Sequence, residues 1–377
     1  MRRTLYDRVH EDFRSAFRGF LNTEAVPHRD EWLAAGTAGR GFWRAAGASG
    51  FLGFEAPVDL GGLAIVDFRY NAVIQEEAAA LGVVTDGFAL HNDIVAPYLI
   101  EYASSEQAKR WLPGFTSGAT ITAIAMSEPQ AGSDLAGIQT TARSDGGDLV
   151  IDGSKTFITN GSIADLILVL ARDDDGGGLT LAAVERDTPG LTRGAPLRKI
   201  GRNGQDTAEV FFDGVRVPAR NVIGERSRAL DLVKRNLPRE RLSIAVYAVE
   251  NAARALRLAM DHTTVRSTFG KPIARHQAVL HELADMHTGI QVARSHVDAC
   301  VGAINDGELS PEDAAGAKYW ATELEGRVLD ECVQLFGGYG FMEEYPIARM
   351  WRDARVQRIY GGANEIMRDI VGRALLR

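Results

Sequence analysis

The residues of this chain that could do chemistry gather round one acid. Glu240 stands in Arg239-Glu240-Arg241, directly after Pro238, and leads into the apolar run Leu242-Ser243-Ile244-Ala245-Val246-Tyr247. Proline within a helical pattern removes an N–H and bends the rod. A side chain just past that bend can therefore point into a cavity, and a carboxylate there could take a proton. Read alone, Glu240 is more simply a solvated acid at a helix start, favoured by the helix dipole.

Four further stretches could hold a ligand. Ser127-Glu128-Pro129-Gln130-Ala131-Gly132-Ser133-Asp134 follows a predicted strand. Its small residues and hydroxyl would let backbone N–H groups approach an anion or a flat cofactor, or they form a plain strand exit. Lys155-Thr156-Phe157-Ile158-Thr159-Asn160-Gly161 reads as a strand ending in a turn. Phe157 is either core or the flank of an aromatic cofactor whose ring edge Thr159 bonds. Arg266-Ser267-Thr268-Phe269-Gly270-Lys271, with His276-Gln277 beyond it, interrupts two long helical patterns. An arginine beside a glycine turn suits pyrophosphate, although solvation is the commoner fate of a loop arginine. Gln334-Leu335-Phe336-Gly337-Gly338-Tyr339-Gly340 ends a helix, so its glycines serve as a C-cap or admit a ligand to the backbone. They do not follow a strand, which excludes a dinucleotide-binding fingerprint, and there is no P-loop, zincin histidine pair or GxSxG elbow. The eight histidines lack metal-ligand spacing, and His281 and His287 read as packed or exposed. No metal is expected.

The elements that must position these residues change character twice. Residues 1–119 read as helices, with Phe13, Phe17, Phe20 and Leu21, then Ile74, Ala78 and Leu81, at helical spacing. Pro97 should bend the segment from His91 to Tyr102. Residues 120–228 hold short β-rich runs, Ile121–Met126, Leu166–Leu170, Leu179–Val184 and Glu209–Phe212, split by Gly/Asp clusters. These suggest a small antiparallel β domain or barrel. Residues 229–377 are helical again, with the stripe Val279, Leu283, Met286, Ile290 and a stretch from Ile244 to Met260 apolar on nearly all sides.

The 377 residues are 45% hydrophobic and 24% charged, enough for a sizeable core over two or three domains. A net charge of -8 argues against nucleic acid as a partner. Two cysteines, Cys300 and Cys332, make a disulfide framework unexpected and a reducing compartment expected. Met1-Arg2-Arg3-Thr4 is basic but leads into no apolar signal segment, and no run is long enough to span a membrane. Asn160-Gly161-Ser162 reads as a chance glycosylation match. The expected location is cytoplasmic.

Taken together, the order and spacing of these motifs resemble the acyl-CoA dehydrogenase family, FAD enzymes that oxidise acyl thioesters to 2-enoyl thioesters. The resemblance rests on Met126-Ser127-Glu128-Pro129 with Ala131-Gly132-Ser133-Asp134, Phe157 to Gly161, Arg266 to Gly270, Gln334 to Gly338, and Ile359-Tyr360-Gly361-Gly362. It implies an α+β fold with an N-terminal helical domain, a middle β-barrel-like domain and a C-terminal four-helix bundle. It implies that Ile124, Met126, Ser127, Gly132 and Ser133 hold the flavin ring and pyrophosphate side, flanked by Phe157 and Thr159. Arg266, Phe269, Gln277, Gln334, Gly337 and Gly338 would reach the FAD of a neighbouring subunit, in a homodimer or homotetramer. Ala363 and Glu365 would also meet the cofactor, although the family usually has a threonine in place of Ala363, so one hydrogen bond is weakened.

Many members carry their catalytic glutamate where this chain has Gly361. In the long-chain and isovaleryl branch, which this chain resembles, the base comes instead from the position of Glu240. Glu240 would then take the α-proton while the β-hydrogen leaves as hydride to flavin N5, and the Gly361 N–H would bond the thioester oxygen. Gly362 adjoins that contact, and Ser133 and Arg241 would touch the thioester or pantetheine arm. The acyl tail would run along the segment His91–Tyr102. Burial should raise the Glu240 pKa and Arg241 should oppose the rise. The expected partners are an acyl-CoA or acyl-carrier-protein thioester and an electron-transfer flavoprotein. The alternatives are a dehydrogenase of carrier-bound acyl groups in secondary metabolism, a flavin oxidase or monooxygenase on this fold, or a cofactor-free binding protein.

Overall fold

Helices, then strands, then helices follow one another along the chain. The computed structural model describes residues 3–83 and 86–377, with Met1 and Arg2 of the basic N-terminus outside the described residues. The first helices are α1 (Arg8–Glu24), α2 (Arg29–Ala35), α3 (Arg40–Ala48) and α4 (Phe68–Leu81). A short helix, α5 (Asp86–Ala89), passes through a π-helical turn, Leu90–Val95, into α6 (Ala96–Glu101), and α7 (Ser105–Thr116) follows. Seven strands come next: β1 (Thr122–Ala125), β2 (Thr141–Asp145), β3 (Asp148–Thr159), β4 (Leu166–Asp173), β5 (Leu179–Glu185), β6 (Leu191–Arg193) and β7 (Thr207–Pro218). The chain then runs through α8 (Ala229–Val265), the hairpin β8 (Ser267–Thr268) and β9 (Lys271–Pro272), α9 (Gln277–Asn305), α10 (Pro311–Phe336), α11 (Pro346–Ala354) and α12 (Asn364–Ala374).

The N-terminal helices close on an aromatic core. Phe17, Phe20, Trp32, Phe42, Phe51 and Phe88 are buried together, with Phe17 and Phe51 edge-to-face at 5.0 Å between ring centroids. Pro97 lies inside one unbroken helical run from Asp86 to Glu101, directly after the π turn, which is where that run departs from α-helical geometry.

The sheet runs in the order β1-β4-β2-β3-β7-β6, with β5 on the far side of β4. The antiparallel expectation holds for most pairings but not for β4, which runs parallel to both β1 and β2. Parallel neighbours need a long connection, and the β2–β3 hairpin between β1 and β4 supplies it. That hairpin turns on Gly146 and Gly147, at φ 63° and 92°, which the right-handed twist of the strands favours. β4 is buried on both faces: Leu166, Leu168 and Leu170 join the helical layer of α6 and α7, while Ile167, Val169 and Ala171 fill the other side. Continuous burial is why its sequence is an unbroken apolar run rather than an alternation.

The C-terminal core is built on α8. Leu242, Ala245, Val249, Ala252 and Leu256 pack with Met286 and Ile290 of α9, Leu324 and Val328 of α10, and Phe68 and Ala72 of α4. The all-round apolarity of α8 follows from contact on every side. Leu168→Ala at the centre of β4 should cost about 2–5 kcal/mol, read as a shift of the urea midpoint without a change of slope.

Candidate functional site

α8 begins eleven residues before Glu240, so this acid lies inside the helix and not in its first turn. The dipole-stabilised, solvated reading is therefore excluded, because the side chain is only 7% exposed. Its Oε1 is buried without a hydrogen-bond partner. Burial pushes the carboxyl up to about 7, with the Arg241 charge opposing, so desolvation wins the contest between the two. Arg241 is itself buried, lowered by desolvation, and leaves its Nε unpartnered. Arg239, the other flanking guanidinium, turns to Glu55 and lies 5.3 Å over the Phe68 ring. Only one of the two arginines answers the acid.

The π turn fixes this part of α8. Asp93, fully buried, accepts hydrogen bonds from Asn71 at 2.7 Å and Gln75 at 2.8 Å, and from Ser243, three residues past Glu240. A π turn widens the helix locally and aims side chains inward. Tyr98 of α6 is buried beside the acid, its phenol pushed well above the usual range by burial and then by the Glu240 charge.

Across from Glu240, Gly361 and Gly362 take φ values of 64° and 92°. A Cβ on Gly361 would fall 2.4 Å from Cδ1 of Ile244. Ile244 is one turn beyond Glu240 on the same face of α8, so the Gly361 backbone lies against the acid's face, where a Cβ would have to push the tip of Ile244 aside. Lys318 holds this turn, donating to the Gly362 carbonyl at 2.8 Å and to Asn364 Oδ1 at 3.0 Å.

A second surface forms where β1 meets β3. β1 is an edge strand, so Ile124 offers backbone groups along its open side, and Met126 and Ser127 follow directly. Thr156 N–H donates to the Ser127 carbonyl at 2.9 Å, which brings Phe157 and Thr159 beside that edge. Phe157 has φ 59° and is 70% exposed, which rules out the core reading. Lys155 secures the loop: it is fully buried and pairs with Glu128 at 2.8 Å while donating to the Met126 carbonyl at 3.0 Å. Against the upward push of burial, the bonds from Lys155 and from the Gln139 and Thr140 backbone hold Glu128 down at about 2. Asn160 is buried and donates to the Thr122 carbonyl at 2.9 Å, so its glycosylation match is indeed inert. Gly132 and Ser133 lie exposed on the loop past Glu128.

The third group lies at the other end of α8, roughly 40 Å from Glu240 at 1.5 Å per residue. Arg266 caps the helix, Phe269 tips the β8–β9 hairpin at 98% exposure, and Gln277 opens α9. His262 stacks on Phe336 with centroids 4.2 Å apart, which brings Gln334, Gly337 and Gly338 to the same end. Nothing would obstruct a Cβ at Gly337 or Gly338, so the helix end is open as well as capped. Ala363 and Glu365 flank the start of α12, near the Lys318 contact. His281 and His287 are exposed, and among the described residues no group of His, Cys, Asp or Glu could hold a metal.

The residues present fit a flavin: an edge strand, an exposed aromatic beside it, and glycine and arginine at an open helix end. Sequence reasoning missed Lys155, Lys318 and Asp93. Lys318 and Asp93 each adjoin an apolar stretch, and that mismatch was the available signal, whereas Lys155, between Ser154 and Thr156, carried none.

The family model described as acyl-CoA dehydrogenase, N-terminal domain, matches residues 7–119; the middle-domain model matches 123–215 and the C-terminal-domain model 230–376. The long-chain specific acyl-CoA dehydrogenase of mitochondria from Sus scrofa is 42% identical over 99% of this chain and 88% of its own length. The crystal structure of acyl-CoA dehydrogenase from Geobacillus kaustophilus superposes with a TM-score of 0.96 at 44% identity, covering 98% of both chains. That of acyl-CoA dehydrogenase complexed with FAD from Bacillus anthracis gives 0.89 at 29% identity, over 99% of this chain and 67% of the other.

Two stability effects follow from the buried charges. Lys155→Met leaves Glu128 buried without its cation and should cost about 3–5 kcal/mol in chemical denaturation. Glu240 binds its proton more tightly folded than unfolded, so its contribution is present below pH 4.5 and lost as pH rises to about 7. Glu240→Gln should therefore leave stability unchanged in acid and raise it by about 3 kcal/mol at about pH 8, read from melts across that range.

Proposed function

Because the chain belongs to the acyl-CoA dehydrogenase family, and is an FAD-dependent oxidoreductase acting on the CH–CH group of an acyl-CoA, we propose that Glu240 is the base that removes the α-proton. One observation carries this reading: Glu240 is buried, its Oε1 has no partner, and burial holds it near neutrality. A base is most effective when its pKa lies near the working pH. A carboxylate without an internal partner is also free to meet a ligand's C–H.

The α-proton of a thioester is weakly acidic, so its removal requires a donor at the carbonyl. The Gly361 N–H supplies one, since glycine keeps the backbone donor and readily takes the positive φ of this turn. Arg241 tempers the rise in the Glu240 pKa and favours the ionised form. Burial of Glu240, Tyr98 and Arg241 excludes water, so that the proton passes to Oε1 and not to solvent. Bound FAD supplies the acceptor for the hydride that leaves the β-carbon.

Ile124, Met126, Ser127, Phe157 and Thr159 would hold the flavin ring, with Gly132 and Ser133 toward its phosphates. Arg266, Phe269, Gln277, Gln334, Gly337 and Gly338 would serve the FAD of another subunit. Their distance along α8 from their own chain's Glu240 supports this, as does the exposed apolar surface of Phe269, Phe341 and Val265 at that end. The chain would act as at least a dimer and pass its electrons to an electron-transfer flavoprotein. Within the described residues no helix is long and apolar enough to cross a membrane.

Glu240→Gln should retain FAD and its visible spectrum yet lose anaerobic bleaching by acyl-CoA by at least about 1000-fold, on the scale of a lost general base; bleaching at the wild-type rate would remove Glu240 from the reaction. In the wild type, kcat/KM should rise with pH and level off above about 7, where the carboxyl is ionised.

A further inference from the structure

α10 packs an apolar face against α8, yet three polar side chains on it are as buried as its leucines. Lys318, Thr322 and Glu325 are 0%, 1% and 0% exposed. Their spacing of four and then three puts them on one face of the helix, and that face meets residues 357–364. Lys318 takes the Gly362 carbonyl and Asn364, while Asn364 donates to Thr322 Oγ1 at 3.0 Å. At the other end Gln357 Nε2 donates to both oxygens of Glu325, at 2.9 and 3.0 Å. Asn251 of α8 donates to Glu325 Oε1 at 2.7 Å. Gln357 also accepts a long bond, 3.4 Å, from the Tyr360 hydroxyl.

Asn251 lies about three turns from Glu240 and so on the same side of α8. Gln357 leads within four residues to Gly361. Glu325 therefore ties the helix that carries the acid to the segment that carries the backbone donor. Burying a carboxyl is costly, and one that accepts three amide N–H bonds is directional. An apolar residue of similar volume would pack α10 as well, but it could not set the position of Gln357 relative to Asn251. Arg202 and Arg358 are the charged groups that face Glu325, and burial outweighs them in pushing its carboxyl up to about 8.

We infer that Glu325 is a positioning residue, which fixes the Gly361 N–H relative to Glu240 by bridging Gln357 and Asn251. The inference rests on the reading of Glu240 as base and Gly361 as carbonyl donor. Its effect falls on proton removal, because the two groups act together only there, and leaves ligand binding nearly untouched.

The test uses the FAD-loaded enzyme with a β-thia analogue of lauroyl-CoA, which has no β-hydrogen to give up. Exchange of its α-hydrogen with deuterium from solvent then reports deprotonation without turnover. At about pH 9, above the value of about 8 at which the Glu325 carboxyl gives up its proton, Glu325→Gln sets an amide N–H against the Gln357 amide and should slow exchange about ten-fold or more. The dissociation constant of the analogue, read from the flavin spectrum, should change less than about two-fold. The reciprocal variant Glu325→Gln with Gln357→Glu restores donor facing acceptor and should recover most of the rate. If Glu325→Gln does not yield holoenzyme, Gln357→Met cuts the same link from the other side and should show the same split. Exchange at the wild-type rate in either single variant overturns the inference, as does a loss that only tracks FAD content. Glu240→Gln separates the two readings. If it still exchanges, the base assignment falls; if it is silent while Glu325→Gln matches the wild type, only the positioning role falls.

Discussion

A carboxyl group kept dry, with one oxygen unclaimed, is the constraint on which this structure turns. Glu240 costs stability at neutral pH, because folding removes it from water and gives Oε1 nothing in return. The groups around it are arranged to hold it there rather than to relieve it. Arg241 lowers the penalty without forming a direct ion pair, Arg239 is drawn off to Glu55, and Tyr98 brings an aromatic wall. A closer cation would stabilise the fold and pull the carboxyl down to a pKa at which it is a poor base.

Holding the acid takes contributions from the helices at both ends of the chain. The N-terminal helices reach α8 through Asn71 and Gln75, whose bonds to Asp93 continue to Ser243. α10 reaches it through Glu325 and Asn251. The sheet, meanwhile, ties its own loop with Lys155 and Glu128. These buried polar contacts serve register more than net stability, since apolar replacements of equal volume would pack as tightly. Their directionality suits a site in which displacements of an ångström matter.

Much of this was legible from residue order. Helices, strands and helices were marked by a change of apolar period, and the strands of β4 and β5 by unbroken runs. Glu240 stood out only once Gly361 was seen to lack a side chain, because a lone acid after a proline has a simpler explanation. Three features were hidden for physical reasons. Parallel pairing of β4 depends on which strands meet in space, and alternation patterns carry no direction. That the helical pattern starting at Ala229 runs unbroken through Pro238, and so leaves Glu240 in the interior, goes against that proline's own preference. Buried Glu325, in the charged run Glu323-Leu324-Glu325-Gly326-Arg327, looks like a surface charge until the Gln357 turn covers it.

One continuous rod, α8, carries Glu240 near its start and hands over to Arg266 at its end. In the proposed assembly those two residues serve different cofactors, so heredity and chemistry are out of step. A chain altered at Arg266 keeps its own base and harms its neighbour, whereas a chain altered at Glu240 is defective itself yet still serves the neighbour. In a cell making both forms, mixed assemblies would contain some sites with neither lesion and others with both. Whether such a pair of alleles complements or interferes would then depend on how chains partner, and not on the severity of either change.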